Sequence, residues 1–308
     1  MTSFLLYLYT ESPLHAGAAD AEGSLNLPIQ RESTTGYPVV WGQSLKGALR
    51  AAGHNAGWGQ DSLDRVFGKA VQRDGEPGVN PTAGLLTVGD AQLVAVPVPT
   101  LRRTFAWATS SVALSRLSRK YARSGLPGEI PNVPTVPHDR GVALDEVWTT
   151  SEQVVGPCLV PMSRPRTAGE LEEWAERIAS DGIGDGSALS HFADKFRSDL
   201  LLVGTSVMDQ LLRECTEHAV RVQLDPETKT VKHGPFTSEY LPTESLLATV
   251  LTLRAPQGKD SERNTENDAE HRRLLRKLFD GAVLQVGGDE TLGKGLVWSR
   301  LAGEVPGE

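Results

Sequence analysis

A mixed α+β fold is predicted by three observations on the sequence. Short apolar runs of strand length, rich in aromatic and aliphatic residues, occur at Phe4–Tyr9, Leu246–Leu253 and Ala282–Val286. Segments with helical periodicity lie between them, the clearest placing Leu45, Ala48, Leu49 and Ala52 on one face. Asp225-Pro226-Glu227-Thr228, with proline early and polar neighbours, separates two strand-like arms and reads as a hairpin turn.

Composition narrows the function. A chain of 308 residues can form one large domain with insertions or two modest ones. The hydrophobic fraction is 39%, and no apolar run approaches the roughly 18 residues that a membrane span needs, so no membrane partner is expected. Cys158 and Cys215 have no histidine at metal-ligand spacing; neither a disulfide framework nor a zinc site is indicated, and a reducing cytoplasm fits. A net charge of −8 excludes nucleic-acid binding through bulk charge, so any RNA contact must use a local patch. One such patch is Leu101–Gly125, which holds Arg102, Arg103, Arg116, Arg119, Lys120 and Arg123 and no acidic residue. From charge alone, a solvated face is the plainer reading of it.

In chain order, Phe4–Tyr9 is the first strand, and Ser12-Pro13 ends it and delivers His15 and Gly17 into a loop of small residues. Pro28 makes Leu25–Ile29 an extended, edge-like segment. Tyr37–Trp41 is a short β-prone run that Gly42-Gln43-Ser44 ends, with Ser44 as the expected N-cap of a helix carrying Lys46 and Arg50 on its polar face. Backbone amides at that helix start, with Lys46, make a possible anion site; an ordinary amphipathic helix is the alternative. A glycine-rich polar stretch from Gly53 to Pro81 holds one short helical pattern at Leu63–Phe67. Gly84–Val94 reads as a strand, followed by Thr100–Thr109, where Arg102 and Arg103 alternate with Phe105 and Trp107. Guanidinium groups beside rings suit single-stranded RNA, with buried aromatic packing as the alternative.

Gly125–Pro165 is proline-rich and reads as an irregular insertion with a strand near Val142–Trp148. Helices follow at Glu170–Ser180 and Met208–Cys215, with a strand at Leu200–Gly204 between them. The hairpin arms are Ala219–Leu224 and Lys229–Lys232. After Leu246–Leu253 come a charged loop from Pro256 to Asp268 and a helix from Glu270 to Phe279. Ala282–Val286 then enters the glycine loop Gly287–Gly295, which leaves through Leu296–Trp298.

Two motifs in that loop mislead. Gly288-x-x-x-x-Gly293-Lys294 imitates a P-loop, but Gly295 stands where a magnesium-binding Ser or Thr belongs, and no helix follows. Gly287-Gly288-Asp289-Glu290 matches the first letters of a cyclase signature at the wrong end of the chain. A strand-loop-strand offering backbone amides to phosphates explains the glycines better. No nucleophile elbow appears. Asp20 and Glu22 could bind an ion or take a proton, although a solvated loop is their default.

The ordered blocks Tyr9-Thr10, Pro13-x-His15-x-Gly17, Leu27–Glu32, Gly36-Tyr37-Pro38, Ser44–Arg50, Phe105–Thr109, Thr228–Val231, Glu239–Pro242 and Gly287–Gly295 together resemble the backbone subunit of the type III-B CRISPR Cmr effector complex, of the RAMP superfamily. The resemblance covers nearly the whole chain. It implies a single domain over 1–308 with a ferredoxin-like (RRM-like) palm. Into the palm are set irregular insertions at about 125–195, a thumb β-hairpin at about 219–242 and a charged loop at about 256–272. It implies copies of the subunit stacked along CRISPR RNA with other Cmr subunits, paired to a complementary target RNA. The thumb would kink that duplex. His15, Arg31, Ser44, Lys46, Arg50, Arg102, Arg103 and Arg221 would contact RNA, as would Gly287, Gly288, Thr291, Gly293, Lys294 and Gly295 in the glycine loop.

Members of this family cut target RNA with a divalent ion (Mg or Mn) and no organic cofactor, using an aspartate just before the Pro-Ile-Gln-Arg-Glu block. Here that position is Asn26, whose amide can neither act as general base nor lend charge to a metal. Three readings stay open: an engineered inactive chain, a natural subunit that holds RNA without cutting, and replacement of the missing carboxylate by Asp20 or Glu22. Rival functions are a guide-processing endoribonuclease of the same superfamily and a nucleotide-binding enzyme.

Overall fold

Alternation along the first strand decides the layering. In Thr2–Thr10 the side chains of Phe4, Leu6 and Leu8 enter one buried cluster, and those of Leu5, Tyr7 and Tyr9 enter another. Successive strand residues point to opposite faces, so a strand apolar at every position must be covered on both sides. Leu200–Val203 divides its residues between the two clusters in the same way.

The computed structural model describes residues 2–18, 25–69, 82–164, 168–186, 188–254 and 273–303. Its strands are β1 Thr2–Thr10, β2 Val39–Val40, β3 Gly68–Lys69, β4 Thr82–Ala83, β5 Leu86–Val88, β6 Ala91–Pro99, β7 Phe105–Thr109 and β8 Gly141–Ala143. They continue as β9 Glu152–Val155, β10 Cys158–Ser163, β11 Leu200–Val203, β12 Glu217–Leu224, β13 Val231–Tyr240, β14 Leu246–Leu253, β15 Ala282–Gln285 and β16 Leu296–Leu301. The helices are α1 Gly42–Asn55, α2 Gln60–Phe67, α3 Ser111–Ser124, α4 Glu146–Thr149, α5 Ala168–Ile178, α6 Ser190–Asp199 and α7 Thr205–Glu214. Residues 273–279 form α8.

One large mixed sheet runs β15-β16-β1-β14-β6-β7-β11-β8-β10-β9, with β2 also on β6 and β5 also on β14. The pairs of β1 with β14 and β16, and of β14 with β6, are antiparallel; β7 with β11 and β8 with β10 are parallel. Leu45, Leu49, Leu63, Phe67, Leu211 and Phe279 cover one face; Leu117, Tyr121, Trp174 and Phe196 cover the other. β12 and β13 form a separate two-stranded ribbon. Among the described residues no helix is long and apolar enough to cross a membrane.

Several expectations change. The helix expected to be capped by Ser44 begins at Gly42, with Trp41 at the N-cap, because Asp90 supplies the cap from a distant loop: its Oδ1 accepts from Gly42 N–H at 2.7 Å. Ser44 therefore lies inside the first turn. The expected strand Gly84–Val94 is two strands broken at Gly89-Asp90, where Gly89 N–H donates to Val250 O (3.1 Å) and Asp90 turns toward α1. The proline-rich 125–165 segment is not irregular throughout: β8, β9 and β10 extend the main sheet. Trp148 falls in α4, started by the Asp145 side chain accepting from Val147 N–H at 2.8 Å, rather than in a strand. Lys229 lies in the hairpin turn at φ 57°, so the second arm begins at Val231. Trp107 is fully buried and its Nε1–H donates to Glu244 O at 2.7 Å, which removes it from the RNA-stacking role considered for the 100–109 segment. The charged loop expected at Pro256–Asp268 lies outside the described residues, as do Asp20 and Glu22.

Candidate nucleic-acid interface

Residues 13–18 and 25–31 fold against the root of the β12–β13 hairpin. Leu14 exchanges both backbone hydrogen bonds with Leu241, at 2.8 and 2.9 Å. Gln30 N–H donates to Ala16 O (2.7 Å), and the N–H groups of Asn26 and Leu27 both donate to Thr237 O (3.1 Å each). Pro28 contributes no donor to this ladder, so the segment makes isolated bridges instead of a regular strand.

Glu239, almost completely buried, fastens the arrangement. Its carboxylate accepts from Ile29 N–H at 3.1 Å and from Arg31 at 2.5 Å, while Arg31 also donates to Gly36 O at 3.0 Å. The carbonyl of Glu239 accepts from His15 Nδ1 at 2.8 Å, and the His15 ring packs 5.5 Å from that of Tyr240. A Cβ on Gly17 would stand 2.9 Å from His15 Nε2, so a larger residue there would displace the ring.

The glycine loop closes over the same place from the other end of the chain. Gly288 N–H donates to His15 O at 2.9 Å and Gly295 N–H to Pro13 O at 3.0 Å. Gly287 has φ 80°, and a Cβ on it would come 2.3 Å from His15 O, which accounts for the glycine on two counts. Asp289 joins loop to hairpin: it accepts from Arg221 at 3.0 Å and from the Tyr240 hydroxyl at 2.8 Å, and Arg221 also donates to Ser238 Oγ at 2.6 Å. Burial pushes the Asp289 carboxyl up, but the hydrogen bonds from Arg221 and Tyr240 outweigh it and hold the group below its ordinary value. The Lys294 ammonium sits 5.2 Å from the Tyr240 ring centre. Thr291 and Gly293 are exposed in the turn after Asp289.

Asn26 is exposed beside this cluster, and its Oδ1 accepts from Thr237 N–H at 2.9 Å. That oxygen is spent on the backbone, and the side chain carries no charge. Among the described residues no group of three His, Cys, Asp or Glu side chains could hold a metal ion. The described donors therefore do not fit a divalent ion.

The structure thus gathers His15, Asn26, Arg31, Arg221, Gly287, Gly288, Lys294 and Gly295 around one hairpin root, with Thr291 and Gly293 in the same loop. The other expected residues stand apart. Arg50 is occupied between helices, donating to Asp64 (2.5 Å), Gly68 O (2.8 Å) and Leu63 O (3.2 Å). Lys46 is half-buried beside it, pushed below its usual value by burial and then by Arg254 and Arg50. Arg103 bridges Asp199 at 2.8 Å and Asp145 at 2.7 Å, while neighbouring Arg102 is exposed. Glu239, Tyr240 and Asp289 were not singled out as site residues. The acid inside a glycine loop, Asp289, was the available signal.

Comparison with known proteins identifies the family. The chain matches the RAMP superfamily over residues 7–298. It is 31% identical over 299 residues to the CRISPR system Cmr endoribonuclease Cmr4 of Pyrococcus furiosus, covering 96% of this chain and 95% of that protein. The crystal structure of oligomeric Cmr4 from Pyrococcus furiosus superposes with a TM-score of 0.72 at 28% identity, covering 98% of each chain. A chain of the type III-B Cmr-beta complex bound to cognate target RNA shares the fold at TM-score 0.70 and 18% identity, covering 98% of this chain and 97% of that one. The chain therefore belongs to the RAMP superfamily, within its Cmr4 family.

Proposed function

We propose that this chain is the CRISPR-RNA-binding backbone subunit of a type III-B antiviral complex, working in the cytoplasm with further copies of itself and other Cmr subunits. The observation that carries the reading is the convergence of Asn26, Arg221 of the hairpin and the amide-rich loop Gly287–Gly295 on one root. Relatives described as oligomeric and as bound to cognate target RNA support it. The antiparallel order β16-β1-β14-β6, with α1 after β1 and α8 before β16, supports a ferredoxin-like palm. The projecting β12–β13 ribbon suits a thumb that separates nucleotides.

In an active version, the ribose 2′-hydroxyl attacks the adjacent phosphate to form a 2′,3′-cyclic phosphate, the P–O5′ bond breaks and the departing 5′-oxygen takes a proton from solvent; the thumb's part is to unstack the nucleotide so that attack is in line. An aspartate at position 26 would take the hydroxyl proton. Asn26 cannot, so this chain holds target RNA and cuts it slowly or not at all. The test compares the assembled complex with its Asn26→Asp variant on labelled complementary RNA in Mg or Mn. The variant should cut about 10²–10⁴-fold faster, the range of one general base. Equal cutting by both removes position 26 from the mechanism. Recovery of the wild-type assembly without guide RNA refutes the binding role itself.

A further inference from the structure

On α3, Arg116, Arg119, Lys120 and Arg123 are spaced 3, 4 and 7 residues from the first, which sets four cations along one side of the helix while Leu114, Leu117 and Tyr121 are buried on the other. Arg119 and Arg123 are exposed, and neither forms an ion pair among the described residues. Lys120 donates to Gln92 Oε1 and is pushed down to about 8, first by burial and then by Arg116 and Arg119. Such crowding of like charges is relieved when an anion binds.

The strip leads into a cavity of about 610 Å³, of the size that takes a small ligand, walled by Arg31, Ser33, Thr34, Thr35, Trp41 and Arg116. Its two carboxylates are already used. Glu32 accepts from Arg116, Thr35 and Gln92, and Asp90 caps α1. Arg116 Nη2 donates to Glu32 at 2.6 Å, but its Nη1 is buried with no partner. Trp41 is 38% exposed, and its backbone N–H donates to Gln30 Oε1 at 3.0 Å. An aromatic wall and the exposed hydroxyls of Ser33 and Thr34 suit a base better than a bare phosphate, while the adjoining cations suit its backbone.

We propose that this cavity receives one unpaired nucleotide of the bound RNA, its base against Trp41, with the flanking phosphates following Arg119 and Arg123 along α3. The inference rests on the RNA-holding function above and adds to it a contact surface separate from the hairpin root.

The test measures binding of fluorescein-labelled oligouridylate to the full-length chain across salt concentrations. Arg119→Gln with Arg123→Gln, both exposed positions, should reduce the magnitude of the salt slope by about 1.4, or about 0.7 for each lost single-strand contact. Trp41→Ala should weaken binding about 5- to 150-fold with little change of slope, the range for one lost base stack, and Trp41→Phe should recover part of the loss. Photocrosslinking with 4-thiouridine should label the peptide holding Thr34–Trp41. If both sets of variants keep wild-type affinity and slope while Arg221→Ala binds more weakly, the inference falls and the function stands. A change in self-association with RNA affinity unaltered also overturns it, making the strip a protein contact. If the wild-type chain binds no oligouridylate and its assembly carries no guide, both fall together.

Discussion

At its root the hairpin β12–β13 is tied on two sides, by the ladder to Leu14, Asn26 and Leu27 and by the bonds of Arg221 and Tyr240 to Asp289. Toward its tip the same two strands touch little: the paired Leu224 and Val231 are 47% and 59% exposed. An isolated two-stranded ribbon is marginal in water, so the blade borrows its order from the root. The contrast separates two tasks. The root fixes donors in place around the glycine loop, and the blade projects apolar side chains into solvent.

The contrast can be broken most forcefully at the root. Gly287→Val should destabilise the chain by at least about 1–3 kcal/mol from the backbone conformation alone, with more from the contact with His15 O, read by urea unfolding. A fully stable Gly287→Val protein would mean that the glycine loop does not clamp the root.

Arg221→Ala should cost less stability, because the pair with Asp289 is partly exposed, but it should change the acid limb of stability. The folded-state pKa of Asp289 is lowered, so its contribution is present above the unfolded carboxylate value near ~3.9 and is lost as pH falls through the folded value. The variant should lose stability less steeply as pH falls below about 4 than the wild type, in urea midpoints measured against pH.

Glu244, in the joint between β13 and β14, should respond in the opposite direction. Burial pushes its carboxyl up to about 7, and the Tyr9 hydroxyl donates to it. The folded state then keeps a proton that the unfolded state releases, so stability falls as pH rises from the ordinary glutamate value near ~4.3 toward 7. Glu244→Gln should flatten that decline and be the more stable protein at neutral pH, by the same midpoints.

The smallest effect belongs to the tip. Lys229→Gly relieves a residue at φ 57° and should stabilise by at most about 1 kcal/mol. Slower hydrogen exchange confined to the blade would sharpen the comparison; protection spreading into the root would blur it.

What could be read from the sequence were features whose cause is local. Leu246–Leu253 is apolar at nearly every position because the sheet is covered on both faces, and the strand has the expected bounds. The hairpin was legible from Asp225-Pro226-Glu227-Thr228, where the Asp225 carboxylate accepts from the N–H groups of Glu227 and Thr228 at 3.0 Å each. The strands β9 and β10 were not, since prolines hid short pairings such as Pro161 with Glu152 at the far end of the sheet. Within the site, the glycines of 287–295 and His15 stood out by type. Their mutual contact did not, because no local pattern encodes a bond between residues so far apart in the chain.

The sequence by itself determined the mixed fold, the projecting hairpin and the family. Only the tertiary structure decided which cations remain available. Arg50 and Arg103 look as free in the sequence as Arg119 and Arg123, yet the first two are held by Asp64, Asp145 and Asp199. A charged side chain is used up by whichever partner the fold brings within hydrogen-bonding distance, and that distance is a property of packing.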